Sequence, residues 1–247
     1  KIDDNVILSF TSNEAIQPPN VTIGGQDAEV SGDSVSWSAV RNYDEFIPDP
    51  DGVIEFSIDY LDLAGNFGSQ VDSTTDESSV TFDRTLPEMT LIEIVSDNYY
   101  DSTLAMVADE LTLIFTSSEN IQAPPTVVIG DSVVSVSGFG TSWSAVRTML
   151  SDDQEGEVVF SIDYLDMAGN SGIQNTESTN ESKIIFDRTL PFMDIISMSS
   201  DNLYDPLLAK IADTTILSFT SSENIQAVSV TIDGDSAIVS GDGVNWT

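Results

Sequence analysis

The sequence predicts an all-β chain built from tandem sandwich-like units. Three observations carry this. The stretch 160–170 (FSIDYLDMAGN) recurs at 56–66 as FSIDYLDLAGN, an offset of 104 residues, and self-similarity at a fixed period means one structural unit repeated. Within a period, short apolar runs alternate with turn signals about every 8–12 residues, the pattern of roughly seven strands in a sandwich. No stretch shows a helical period.

Residues 6–11 (VILSFT) read as a strand with a buried face, and recur at 111–116 (LTLIFT) and 215–220 (TILSFT). Ser12-Asn13-Glu14 turns the chain, as Ser117-Ser118-Glu119 and Ser221-Ser222-Glu223 do later. Pro18-Pro19 and Pro124-Pro125 mark a loop or sheet edge, because proline donates nothing to a ladder. Short strands follow at 21–23 and 28–31, with Gly24-Gly25 and Gly32-Asp33 as turns. The run 36–41 (SWSAVR) is matched at 142–147. The loops 42–52 and 148–156 differ in length, and insertions between strands are cheap. Residues 53–60 alternate cleanly, with Ile54, Phe56, Ile58 and Tyr60 on one face. Asp62 to Asn66 turns through Gly65, and a polar loop leads to Val80-Thr81-Phe82.

Asp83-Arg84-Thr85-Leu86-Pro87 recurs unchanged at 187–191. Pro87 and Pro191 therefore read as boundaries. They define a first repeat (1–86) lacking its opening strand, a full second repeat (87–190), and a third (191–247) that stops before its FSIDY strand. Each boundary leads into an apolar strand, 89–95 or 193–198, and then an acidic loop, SDNYYD or SDNLYD. The incomplete repeats expose core unless further chain or a neighbouring subunit completes them, in the latter case by strand addition.

Composition excludes several functions. There are 7 basic and 42 acidic residues, a net charge of −35, which removes the basic face that nucleic acid or an anionic membrane needs. Self-repulsion of this size calls for screening or neutralisation. High salt screens, shortening the Debye length from about 10 Å at 0.1 M to about 3 Å at 1 M; bound divalent cations neutralise. A saline exterior suits the balance. Cys and His are both absent, so there are no disulfides, no thiolate or imidazole metal sites, and no Ser-His-Asp machinery. Any metal is held by oxygen, which points to calcium. The apolar runs are too short to span a bilayer.

The segments LSFTSSENIQ, SWSAV, FSIDYLDMAGNSG and FDRTLP resemble tandem bacterial or archaeal immunoglobulin-like (Big-type) repeats across essentially the whole chain. The junction Asp-x-Thr-x-Pro, at Asp83/Thr85/Pro87 and Asp187/Thr189/Pro191, is similar to that of the family. The resemblance implies Ig-like sandwiches of about 104 residues, stacked in the stalk of a large surface adhesin or filament or in an S-layer lattice. In many such arrays calcium stiffens the junctions.

The residues offer calcium ligands at the junctions. These are Asp83 or Asp187, with Asp97, Asn98 and Asp101, or Asp201, Asn202 and Asp205, arriving from the next repeat. Asp62 with Asn66, and Asp166 with Asn170, add a turn-held contribution. Against this stands solvation, the fate of most acidic loops. Trp37, Trp143 and Trp246 read as core residues between sheets rather than sugar platforms. Tyr60 and Tyr164 read as core residues with hydroxyls tied to backbone, and Tyr99, Tyr100 and Tyr204 as contacts to an adjoining unit. Arg84 and Arg188 read as partners in junction ion pairs. Carboxylates that recur in every repeat argue against a glycosidase pair, which occurs once in a cleft. The expectation is thus a non-enzymatic, extracellular array that meets copies of itself and adjacent repeats. An S-layer lattice is the first alternative. A glycan- or surface-binding module using Tyr43 and Phe46 in loop 42–52 is the second.

Overall fold

A computed structural model describes residues 1–46, 49–226 and 228–247. Every regular element among them is a strand or bridge, so the fold is all-β. No helix among the described residues is long and apolar enough to cross a membrane. The chain divides into two compact units, Lys1–Asp187 and Arg188–Thr247.

The first unit holds both FSIDY copies, and each copy sits over a separate core. In residues 87–187, a four-stranded sheet has the order Val136–Phe139, Ser142–Thr148, Glu110–Ser117, Met89–Ser96. A three-stranded sheet has the order Ser132–Val134, Thr126–Ile129, Phe160–Asp163. Alternation fills the space between them. In Glu110–Ser117, Leu111, Leu113 and Phe115 are all fully buried, while Thr112, Ile114 and Thr116 face outward. Ile92, Val127, Ile129, Trp143, Ile162 and Phe186 complete one cluster. A third, small sheet closes the end: Leu104–Ala105 runs parallel to Ile185–Phe186, which is antiparallel to Gly156–Glu157. Ile185 N–H donates to the Thr103 carbonyl and Asp187 N–H to the Ala105 carbonyl, both at 2.9 Å.

Residues 1–86 repeat the plan around Val21, Ile23, Ala39, Tyr43, Ile58 and Phe82. Their sheets are Asn5–Thr11, Ser36–Asn42, Glu29–Gly32, and Gln26–Asp27, Asn20–Ile23, Phe56–Asp59. The expected strand 53–60 is in fact two pieces. Gly52–Val53 pairs with Thr81–Phe82, and Phe56–Asp59 pairs with Asn20–Ile23. The chain changes sheets at Ile54–Glu55, where Ile54 N–H donates to the Val80 carbonyl and the Glu55 carbonyl accepts from Gly24.

One arginine per repeat ties the sheets together. Arg41 Nη1 donates to the Ile23 carbonyl at 2.8 Å, and Arg147 Nη1 to that of Ile129 at 2.7 Å. Each guanidinium lies over a left-handed glycine, Gly24 (φ 57°) or Gly130 (φ 59°), where a β-carbon would stand about 2.3 or 2.1 Å from Nη1. Arg41 also pairs with buried Asp49 at 2.5 Å, and Arg147 pairs with Asp153.

In the second unit, Met193–Ser200 pairs with Thr215–Ser221, which pairs with Asn245–Trp246. Phe219 is buried and stacks on half-buried Trp246 at 6.4 Å. Most apolar residues of Met193–Ser200 are exposed.

Candidate functional site: a carboxylate cluster at the boundary of two cores

The FSIDY strand of the second repeat ends in a turn that buries a carboxylate. Asp166 Oδ1 accepts from Asn170 N–H (2.8 Å) and Oδ2 from Asn170 Nδ2 (2.7 Å), with Gly169 at φ 89° allowing the reversal. Asp166 is fully buried and Asn170 nearly so. The Asn170 amide also donates to the Asp83 carbonyl at 3.1 Å, joining this turn to the segment that leaves the first repeat.

Three carboxylates meet there. Oxygens of Asp83, Glu119 and Asp166 lie within 4.8 Å of one another. Asp51 stands behind them, held by Arg84 N–H (2.7 Å) and Thr85 Oγ1 (2.5 Å). None of the four makes an ion pair among the described residues. The electrostatic consequence falls on Glu119. Burial first, then the charges of Asp83, Asp166 and Asp51, raise its pKa above the usual carboxylate range. Asp51 shifts the other way, lowered by its bonds from Thr85 and Arg84.

An oxygen-only cluster of half-buried and buried carboxylates, one of them strained toward protonation, fits a hard divalent cation such as calcium. Asp83, Glu119 and Asp166 are the residues that would hold it.

The other expected ligands lie elsewhere. Asp97, Asn98 and Asp101 are at the far end of Met89–Ser96 from Asp83. Asp97 Oδ1 accepts from Glu110 N–H, at the start of the strand whose other end leads to Glu119. Asn98 Nδ2 bonds Asp109 Oδ2 at 2.6 Å, and Asp101 Oδ1 caps Thr103. The loop is satisfied internally, on the side of the repeat where Asp187 N–H meets Ala105. In the second unit the same pattern recurs: Asp201 accepts from Thr214 N–H, Asn202 donates to Asp213, and Asp205 caps Leu207. Asp62 and Asn66 reproduce the Asp166–Asn170 turn at 2.8 and 2.6 Å, but Asp62 is only half-buried and Asn66 is exposed.

Some aromatic expectations change. Trp37 and Trp143 are buried. Tyr164 Oη donates to the Asn175 side chain at 3.1 Å rather than being tied to backbone alone. Tyr43 is 2% exposed beneath Arg41, whereas Phe46 is 85% exposed, so they form no shared aromatic platform. Ile47 and Pro48 of that loop lie outside the described residues. Tyr99, Tyr100 and Tyr204 are exposed. Arg84 meets Asp51 through its backbone N–H.

No family model matches the chain, and no curated protein does. Among solved structures, one match is the Bacteroides ovatus mixed-linkage glucan utilization locus SGBP-B in complex with a mixed-linkage heptasaccharide. It is 14% identical, covers 83% of this chain and 47% of that one, and has a TM-score of 0.22. The chain thus spans about half the length of that protein, and a likeness this distant carries no functional argument.

Proposed function

We propose that this chain is part of an extracellular, surface-displayed array of Ig-like repeats, non-catalytic, whose junctions are stiffened by calcium. The observation that carries the reading is the boundary at Asp83. Two separate cores meet there, and the carboxylates of Asp83, Glu119 and Asp166 converge on it. Asp83 comes from the end of one repeat, and Glu119 and Asp166 from the next. A cation shared among them would cancel repulsion and fix the bend between neighbours, which sets the reach of a repeat array. The composition supports the same reading: a chain of net charge −35 gains from divalent neutralisation.

Small-angle scattering of residues 1–187 in calcium and in chelator tests this. The expected result is a narrower range of shapes and a higher melting temperature in calcium. Identical scattering and melting in both would refute the metal-stiffened array.

A further inference from the structure

The four-stranded sheet of residues 87–187 has one open edge. Val136–Phe139 is its terminal strand and pairs only with Ser142–Thr148 among the described residues. It continues Ser132–Val134, the terminal strand of the opposite sheet. The run 132–139 reads SVVSVSGF. Val134 and Val136 are half-buried against the core, while Val133, Ser135, Ser137 and Phe139 are exposed. Phe139 is 86% exposed. An uncharged, valine-rich edge is the kind that proteins normally guard, because its unpaired backbone groups template another strand.

The other two repeats guard this edge with acids. The same run is QDAEVSGD at 26–33 and DSAIVSGD at 235–242. The exposed row is Asp27, Glu29, Ser31 and Asp33 in the first repeat, and it ends on Asp242 in the third. Where the second repeat has Phe139, the acid caps the following turn. Asp33 Oδ1 accepts from Ser36 N–H at 2.9 Å, and Asp242 Oδ1 from Asn245 N–H at 2.7 Å. The second repeat gives up that cap and exposes a phenyl ring instead. On a chain of net charge −35, such a strand lets two copies meet without opposed carboxylates.

We propose that Val136–Phe139 is a pairing edge and that its occupant is the same strand of a second copy of this chain, antiparallel about a two-fold axis at Ser137. Backbone direction selects that register. In the other repeats the residue before the turn donates inward, Asp33 to the Ser36 carbonyl and Asp242 to that of Asn245, both at 3.1 Å. Alternation then turns the backbone groups of Ser137 and Phe139 toward Ser142–Thr148, and leaves those of Val136 and Gly138 at the open edge. With the axis at Ser137, Val136 exchanges backbone bonds with Gly138 of the second copy, and Gly138 with its Val136. Ser137 meets its own counterpart, and Ser135 lies opposite Phe139, with no acid in the row. The same register in the first repeat sets Glu29 directly opposite Asp33, a like-charge pair that opposes it. The contact is isologous and closes as a dimer, with the two four-stranded sheets joined into one.

The chain has no cysteine, so one introduced thiol reads the register. Ser137→Cys sets the two thiols on directly opposed residues, about 4.5–5.5 Å apart at Cβ, within reach of a disulfide. Ser135→Cys sets them four residues apart along the ladder, about 13 Å. The full chain is oxidised with glutathione disulfide, in chelator and in about 1 M salt, which shortens the Debye length to about 3 Å. Ser137→Cys should give covalent dimer at least about tenfold faster than Ser135→Cys. Sedimentation of the unsubstituted chain in the same buffer should show a dimer with a Kd of about 100 µM. Ser135→Glu with Phe139→Asp, the residues that the first repeat holds at 29 and 33, should weaken it by about tenfold. A chain still monomeric at about 1 mM, equal cross-linking of the two thiol variants, or association unmoved by the two acids would each overturn the proposal.

Discussion

Asn170 Nδ2 reaches back 87 residues in sequence to the carbonyl of Asp83, at 3.1 Å, while also holding Asp166. Its counterpart Asn66 makes only the turn contacts to Asp62 and is exposed. Asn170→Ala keeps the backbone bond to the buried Asp166 carboxylate but removes the side-chain bond to it and the one to the Asp83 carbonyl, which unlinks the boundary. It should cost about 1–3 kcal/mol in urea unfolding, and Asn66→Ala well under half of that. Equal costs would mean that the boundary bond contributes nothing.

Glu119 sets the pH behaviour of the boundary. Its folded pKa is raised above the ordinary 4.5, so its ionised form opposes folding, and stability is lost as pH rises through and above that value. Asp51 and Asp101, whose pKa values are lowered, act oppositely: their stabilisation is present above 3.8 and lost as pH falls. In chelator, Glu119→Gln should raise the melting temperature at pH 7 and leave it unchanged near pH 3. In calcium at a hundredfold over its Kd, wild type should gain about 2.7 kcal/mol, and the variant should lose most of that gain. Calorimetry at the two pH values checks both.

Each buried arginine–aspartate pair should behave as a unit. Asp49→Ala strands Arg41 in the core, at an expected cost of about 3–5 kcal/mol, whereas Arg41→Met with Asp49→Leu should recover most of it. Chemical denaturation of the two variants distinguishes a pair needed for charge from one needed for volume.

Trp143 is 4% exposed, with its Nε1 donating to the Gly140 carbonyl at 3.1 Å. Trp143→Ala should cost about 3–5 kcal/mol, measured in residues 87–187 by thermal unfolding. A near-neutral result would show that the two sheets can close over the lost volume.

The strands were legible because alternation has a physical cause: one face is buried. The SWSAVR run reads correctly for that reason, and Ser36–Asn42 shows the pattern directly. The break at Ile54–Glu55 was not legible, because a period of two survives when a strand passes from one sheet to another. At the site, Asp83 and Asp166 were legible from the repeat. Glu119 was visible in its thrice-repeated Ser-x-Glu turn but read only as a turn, and Asp51 sat in a loop of variable length. Asp97, Asn98 and Asp101 lie at the other end of the repeat from Asp83, on the side of Asp187. The eight-residue strand before them, at about 3.3 Å per residue, carries them some 26 Å away, and sequence proximity to the boundary does not reveal that direction.

The parallel pairing of Leu104–Ala105 with Ile185–Phe186 bears on mechanics. Tension drawn on the exit at Asp187 pulls Ile185–Phe186 lengthwise along Leu104–Ala105. The bonds from Ile185 to Thr103 and from Asp187 to Ala105 then take the load side by side, instead of parting one after another as in a zipper.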